Sequence, residues 1–239
     1  MVELLVDISG LSKAFGGRTV VRDVSMRLGA GDLLGLVGAN GGGKTTTLRM
    51  LAGLVKPDTG SGTVLGAAIR SGRSGRIDQR QIGYMSQKLA LYAELTVLEN
   101  LRFHARVHGL RSDVIGDALA RYGLEAVANQ RFGVLSGGWA RRVQFATSVL
   151  HAPLLLLLDE PTAGLDVVTR LALWGWMAQF ASAGSAVVVS THDLAEAEQL
   201  PQIMLYRDGQ ASAQTTSGEL ISAAGSPTLE AAVLAQAQP

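Results

Sequence analysis

The chain has 239 residues, of which 47 % are hydrophobic and 17 % charged; none is cysteine, and the formal net charge is +1. This length suits one large domain or two small ones with a full core, and the near-neutral charge excludes a global basic field for nucleic acid or anionic lipid. The lack of cysteine excludes disulfides and thiolate metal sites and makes a cytoplasmic home the default. Charged residues fall below the ~25 % usual in soluble proteins, which hints at a surface partly docked onto partners. The longest aliphatic run, Leu154 to Leu158, is far short of the ~20 residues of a bilayer span. The opening "MVELLVDISG" has an early acid and no basic stretch, which argues against a secretory signal.

In chain order, "LLVDIS" and "VRDVSMRL" read as two strands joined through "FGGR". "DLLGLVG" is a short apolar run feeding into glycines, as a buried strand does before a loop. A helix opens at Lys44, with Leu48, Leu51 and Val55 on one face, and breaks at "KPDTGSG". The stretch "RSGRSGR" has no interleaved aromatics and reads as a solvated loop rather than an RNA contact. "QIGYMSQ" is then predicted as a strand ending at Gln87.

Residues from about 88 to 150 read as a helical insert. Thr96 and Glu99 have capping-box spacing, and Leu98, Leu101 and Ala105 line a face that Gly109 ends. A second helix runs from Ser112 or Asp113 to Gly123, and a third opens at Ser136. His104 and His108 stand four apart in the helical insert; no acid, cysteine or third histidine is expected to accompany them, so they read as a helix face rather than a zinc site. "LLLLLDEP" and "AVVVSTHD" are apolar without alternation, as parallel strands covered on both faces are. Between them, Val167, Leu171, Trp174 and Ala178 mark one face of a helix. "RDGQ" reads as a two-residue hairpin turn, and the Ala/Gln-rich tail, about 217–239, as a short, partly frayed helix.

The chemistry begins at Gly38-Ala39-Asn40-Gly41-Gly42-Gly43-Lys44-Thr45, which matches G-x-x-x-x-G-K-[ST] between a predicted strand and a predicted helix. Glycines let backbone N–H groups turn inward around phosphates, and the helix N-terminus adds its positive dipole end. Lys44 would reach the β- and γ-phosphates, and Thr45 would ligate Mg²⁺. Asp159 ends the leucine strand, where a carboxylate can hold Mg²⁺ directly or through water. Glu160 follows it; strand neighbours point to opposite sides, so Glu160 takes a separate role, polarising an attacking water. His192 ends the other apolar strand and should converge on the same crevice.

Taken together and in this order, the phosphate loop, Gln87, "LSGG", "LLLLLDEP", "AGLD" and "STHD" resemble the nucleotide-binding subunit of an ATP-binding-cassette (ABC) transporter, across about residues 5–215. The resemblance implies an α/β fold: a P-loop NTPase core with a mainly parallel sheet, an N-terminal antiparallel β subdomain and an inserted α-helical subdomain, all within a single domain spanning 1–239. It implies that Gly38, Asn40, Gly41, Gly42, Gly43, Lys44, Thr45 and Thr46 contact ATP, that Phe15 stacks on adenine, and that Thr45, Gln87 and Asp159 serve Mg²⁺. Glu160, His192, Gln87 and Lys44 are the implied catalytic set. In the family, two cassettes pair head to tail, so Ser136, Gly137, Gly138 and Asp166 would serve the partner's nucleotide. A helix N-terminus with two glycines can offer N–H groups to a γ-phosphate without its own lysine, because the partner supplies one.

The wording "YMSQ…LYAELTVLENL" and "AGLDVVTR" most resembles ATPases of bacterial drug- or polysaccharide-type exporters. The expected partners are therefore a second cassette, a homodimer in the simplest case, and a separate membrane permease docked on the helical insert. The expected place is the cytoplasmic face of the membrane, with no nucleic acid bound. An importer ATPase is the nearest alternative, but importers often append a regulatory domain, for which the stretch after Thr215 is short. A soluble ABC ATPase acting on ribosomes or DNA would usually carry two cassettes or long inserts, and a non-hydrolysing module would lack Glu160 or His192. Three positions depart from the family pattern. Ala39 replaces a frequent proline, and Gly42 stands where alanine or serine is usual. Trp139 replaces a residue that could complete a capping box with Ser136, so it is expected to pack beside the signature loop and loosen its cap.

Overall fold

The computed structural model describes residues 4–70, 73–74 and 77–237. The opening strands pair as an antiparallel hairpin, β1 (Leu4–Phe15) with β2 (Arg18–Gly29). β3 (Leu33–Gly38) leads through the glycine loop into α1 (Lys44–Leu51), which ends before Val55. β4 (Thr59–Val64), β5 (Ala67–Arg70) and β6 (Arg73–Ser74) extend the antiparallel side. The Gly/Arg stretch expected as a loop thus contains a short strand, and its residues 71–72 and 75–76 lie outside the described residues.

β7 (Ile82–Met85) stops before Gln87. The backbone beyond it is taken up by side chains of a later helix. Arg141 donates to the Ser86 and Gln87 carbonyls, and Gln144 donates to those of Ser86 and Lys88, so these groups do not continue the sheet.

The helical stretch follows as α2 (Val97–Val107), α3 (Asp113–Arg121) and α4 (Gly137–Val149). The Thr96–Glu99 capping box forms in full and satisfies two N-terminal donors reciprocally. Asn100, fully buried, accepts from the Tyr92 N–H and donates to the Tyr92 and Thr96 carbonyls, pinning the approach to α2.

β8 (Leu155–Asp159), α5 (Val167–Ser182), β9 (Ala186–Thr191), α6 (Leu194–Ala197), β10 (Gln202–Arg207) and β11 (Gln210–Ala211) restore the strand–helix rhythm. Asp208 and Gly209 both take left-handed φ, 49° and 82°, as a two-residue hairpin turn requires. The tail forms two helices rather than one, α7 (Ser217–Ala224) and α8 (Leu229–Ala237). It is anchored: Leu229 is fully buried and its N–H donates to the Glu198 carboxylate.

Among the described residues the strands join in the order β6-β5-β4-β1-β2-β11-β10-β3-β9-β8-β7. β10, β3, β9, β8 and β7 run parallel, so the carboxyl ends of β3, β8 and β9 share one edge. The unalternating apolar runs have a simple cause. Leu156 and Leu158 of β8 and Val187 and Val189 of β9 face one core, while Leu155, Leu157 and Val188 face another on the opposite side.

α5 forms as expected, but the stripe of Val167, Leu171 and Ala178 faces outward. Its inward face is Thr169, Leu173, Met177 and Phe180; Val167 and Leu171 are each 60 % exposed, and Ala178 is exposed too. The helix is apolar nearly all round, so its periodicity could not say which stripe meets the sheet. Trp176 decides part of it, packing on Tyr122 and Phe145 with ring centroids 4.9 and 5.5 Å away and joining α5 to the helical stretch. No described helix is long and apolar enough to cross a membrane.

Candidate functional site

The site is built where β3, β8 and β9 end. β3 delivers the glycine loop, whose last residue, Gly43, has φ 105°; a Cβ there would lie 2.6 Å from the Val20 carbonyl oxygen, so only glycine fits. Lys44 begins α1 and curls back, its Nζ donating to the carbonyls of Gly38 at 2.6 Å and Ala39 at 3.0 Å. It is 4 % exposed and 3.8 Å from Glu160 Oε1. Burial lowers the Lys44 ammonium from its ordinary range, and the carboxylates of Glu160 and Asp159 oppose that shift. A γ-phosphate placed here would replace those carbonyls as the lysine's partner with a far stronger, charge-assisted one.

Asp159 is almost fully buried and engaged by two hydroxyls: Thr45 Oγ1 donates to its Oδ1 at 2.9 Å, and Ser190 Oγ to the same oxygen at 2.8 Å. Glu160 lies just past β8 with φ 48°, a left-handed conformation unusual for glutamate. Strand alternation therefore does not separate the two acids; this turn does, by giving each its own partners. The turn is held by the Glu160 N–H, which donates to Ser190 Oγ at 2.9 Å. The Glu160 carboxylate meets Gln87 Nε2 at 3.1 Å and His192 Nδ1 at 3.3 Å.

Lys44, Gln87 and His192 thus meet around the Glu160 carboxylate. A cavity of about 280 Å³ opens beside them, lined by Asn40, Gly41, Gly42, Gly43, Thr45 and Thr46 together with Lys44, Gln87, Glu160 and Val20. Thr45, Asp159 and Gln87 each have an oxygen to offer (a hydroxyl, a carboxylate and an amide carbonyl), the atom type that Mg²⁺ takes from a few protein groups and completes with water and phosphates. Phe15, at the end of β1, is half exposed rather than packed in the core, with Lys13 Nζ 5.4 Å from its ring centroid.

Ser136, Gly137, Gly138 and Asp166 are absent from the residues that line this cavity. They sit together elsewhere: a Cβ on Gly138 would be 3.4 Å from Asp166 Oδ2, and Asp166 caps α5 by accepting from the Thr169 N–H. Ser136 precedes α4 and makes no side-chain cap bond, so it does not occupy the N–H groups of the helix's first turn. Trp139 packs partly into the core with the Arg142 guanidinium 5.2 Å from its ring centroid, and no capping box forms.

Ser190, Arg141 and Gln144, which hold the named residues in place, carry no motif in the sequence. Nor does His151, the third histidine that accompanies His104 and His108. The rings of His108 and His151 stack at 3.9 Å, and with His104 they line a second cavity of about 310 Å³. Among the described residues no group of three or more His, Cys, Asp or Glu is arranged to hold a metal ion. Burial is the main cause that pushes His151 from its ordinary 6.5 down to about 4; the neighbouring His108 and His104 add to it. The unfolded chain therefore takes up a proton first, and the fold should lose stability as pH falls from about 6.5 to 4, with no effect above. The shift would amount to about 3 kcal/mol at full strength, which solvent reaching the ring reduces to about 1–2 kcal/mol. Urea denaturation across this range should show that loss, and His151→Gln, which can still donate to the Ile82 carbonyl, should remove most of it.

Comparison with known proteins bears on the family. A family described as "ABC transporter" matches residues 21–163. The probable multidrug ABC transporter ATP-binding protein YbhF of Escherichia coli (strain K12) is 36 % identical over 222 residues, covering 91 % of this chain and 38 % of YbhF. The Nod factor export ATP-binding protein I of Rhizobium sp. (strain N33) is 38 % identical over 204 residues, covering 84 % of this chain and 66 % of that protein. The chain therefore spans less than two thirds of either relative. A solved structure, "Structure of ATP binding subunit of ABC transporter", superposes with a TM-score of 0.85 at 27 % identity, covering 98 % of this chain and all of that one. The chain belongs to the ABC transporter family.

Proposed function

We propose that the chain is the ATP-binding and ATP-hydrolysing subunit of an exporter, working as a head-to-tail pair of cassettes beneath a separate membrane permease. The observation that carries this is the meeting of Lys44, Gln87 and His192 on Glu160 beside a glycine-lined cavity, with the signature residues held apart from it.

The loop N–H groups and Lys44 bind the β- and γ-phosphates, and Phe15 offers a ring face to the base. Thr45, Gln87 and Asp159 would hold Mg²⁺, which supplies charge neutralisation at the phosphates. Glu160 orients and polarises the attacking water, an effect of ~10²–10⁴-fold for a positioned general base. His192 and Gln87 keep the Glu160 carboxylate aimed. Ser136, Gly137 and Gly138 of the second cassette close the site with helix N–H groups, so neither copy is complete alone. The names of YbhF and of the Nod factor protein support export of a drug-like or saccharide-containing cargo.

The test is purification of the chain from its own membranes in mild detergent with whatever integral protein accompanies it. A membrane-spanning partner that stimulates ATP hydrolysis is the expected result. Sedimentation with ribosomes instead would overturn the exporter reading.

A further inference from the structure

Behind the Glu160–His192 pair lies a buried carboxylate that no step above uses. Glu196, in α6, is 5 % exposed, and its Oε2 accepts two hydroxyls, Thr162 Oγ1 and Thr191 Oγ1, each at 2.8 Å. Both threonines are themselves nine-tenths or more buried. Thr162 stands two residues after Glu160, and Thr191 one before His192. Thr191 Oγ1 also accepts from the Asp193 N–H at 3.0 Å, which sets the turn that presents His192. Asp193 in turn lies 3.5 Å from Arg170 of α5. The wall of a small cavity joins these groups to Glu160 and to the 163–165 segment that precedes Asp166.

We propose that Glu196 is a positioning residue for ATP hydrolysis: it clamps the chain segments bearing Glu160 and His192 to each other and to the loop carrying Asp166. The clamp has a definite chemical logic. A buried carboxylate needs donors, and among the described residues the two hydroxyls donated to its Oε2 come from the two segments whose spacing sets the 3.3 Å contact between Glu160 and His192. If the 163–166 loop shifts when a second cassette seats against Asp166, Thr162 moves with it, and Glu196 passes that movement to Thr191 and His192. Substrate binding, which uses the glycine loop and Lys44, lies outside this linkage.

The inference rests on the site assignment proposed above, and its test separates the two. ATP turnover, ATP affinity and thermal melting are measured on the full chain in its active assembly for the wild type, Glu196→Ala, Glu196→Gln, Thr162→Val and Glu160→Gln. Glu196→Ala should lower kcat roughly 10- to 100-fold with KM changed less than about twofold, the split expected when only transition-state alignment is lost. Glu196→Gln keeps an amide oxygen that can accept both hydroxyls and should recover to within about threefold of wild type. Thr162→Val, similar in size but leaving Glu196 one donor short, should give an intermediate kcat with a melting temperature lowered by a few degrees. Wild-type kcat in Glu196→Ala, or equal impairment of the Gln and Ala variants, would overturn the proposal. Should Glu196→Ala fail to fold, Thr162→Val decides, and wild-type turnover there overturns it. An active Glu160→Gln would sink the site assignment and this inference together; an inactive one beside a fully active Glu196→Ala would sink this inference alone.

Discussion

Glu160→Gln should abolish turnover, by ~10²–10⁴-fold in kcat, while ATP still binds with near wild-type affinity. The amide keeps the size of the carboxylate and can still meet Lys44, Gln87 and His192, so the fold has little to lose. What disappears is the negative charge that draws a proton from water. The variant should also trap the paired state: if ATP holds two cassettes together and hydrolysis releases them, Glu160→Gln with ATP should elute as a stable dimer in size-exclusion chromatography. The same charge change bears on Lys44, whose ammonium is stabilised against burial by Glu160. Substantial turnover by Glu160→Gln, or an ATP-loaded monomer, would contradict the assignment.

The second large effect tests whether each site is shared. Lys44→Ala removes the charged group under the phosphates and should lower turnover by ~10²–10³-fold. Gly137→Glu should do the same from the other side, by placing a carboxylate where the partner's γ-phosphate would sit. The glycine variant isolates function from folding, because a Cβ on Gly137 would meet no atom within 4 Å in the single chain. Mixing the two inactive chains is the decisive measurement. In a mixed head-to-tail pair one site carries both defects and the other carries neither, so activity should return to at most roughly a quarter of wild type, from half the pairs and one site in each. If subunit exchange is demonstrated and the mixture stays inactive, the shared-site arrangement fails.

Not all of these parts were equally visible before the fold was known. Those carried by local backbone chemistry could be read directly: the glycine loop between a strand and a helix, the Thr96–Glu99 capping box, the Asp208–Gly209 turn and the doubly covered runs of β8 and β9. Each depends on residues a few positions apart, and the same side-chain types produce the same geometry wherever they occur. The order of motifs from Gly38 to His192 even placed the candidate catalytic groups on one sheet edge, since parallel strands share their carboxyl ends.

Other features belonged to tertiary packing. Periodicity marked α5 as a helix, yet its outward stripe of Val167 and Leu171 is as apolar as its inward one, and only docking against the sheet chose between them. The strand expected to reach Gln87 stopped at Met85 because Arg141 and Gln144, more than fifty residues away, take the carbonyls. His151 joined His108 across 43 positions, and Ser190 came to hold both Asp159 and the left-handed turn of Glu160 from another strand. The sequence by itself determined which chemistry the chain carries, because motifs are short-range patterns of donors, acceptors and backbone freedom. Only the tertiary structure decided which groups support that chemistry, because hydrogen bonds between distant strands and the choice of a buried face depend on how all the elements pack at once.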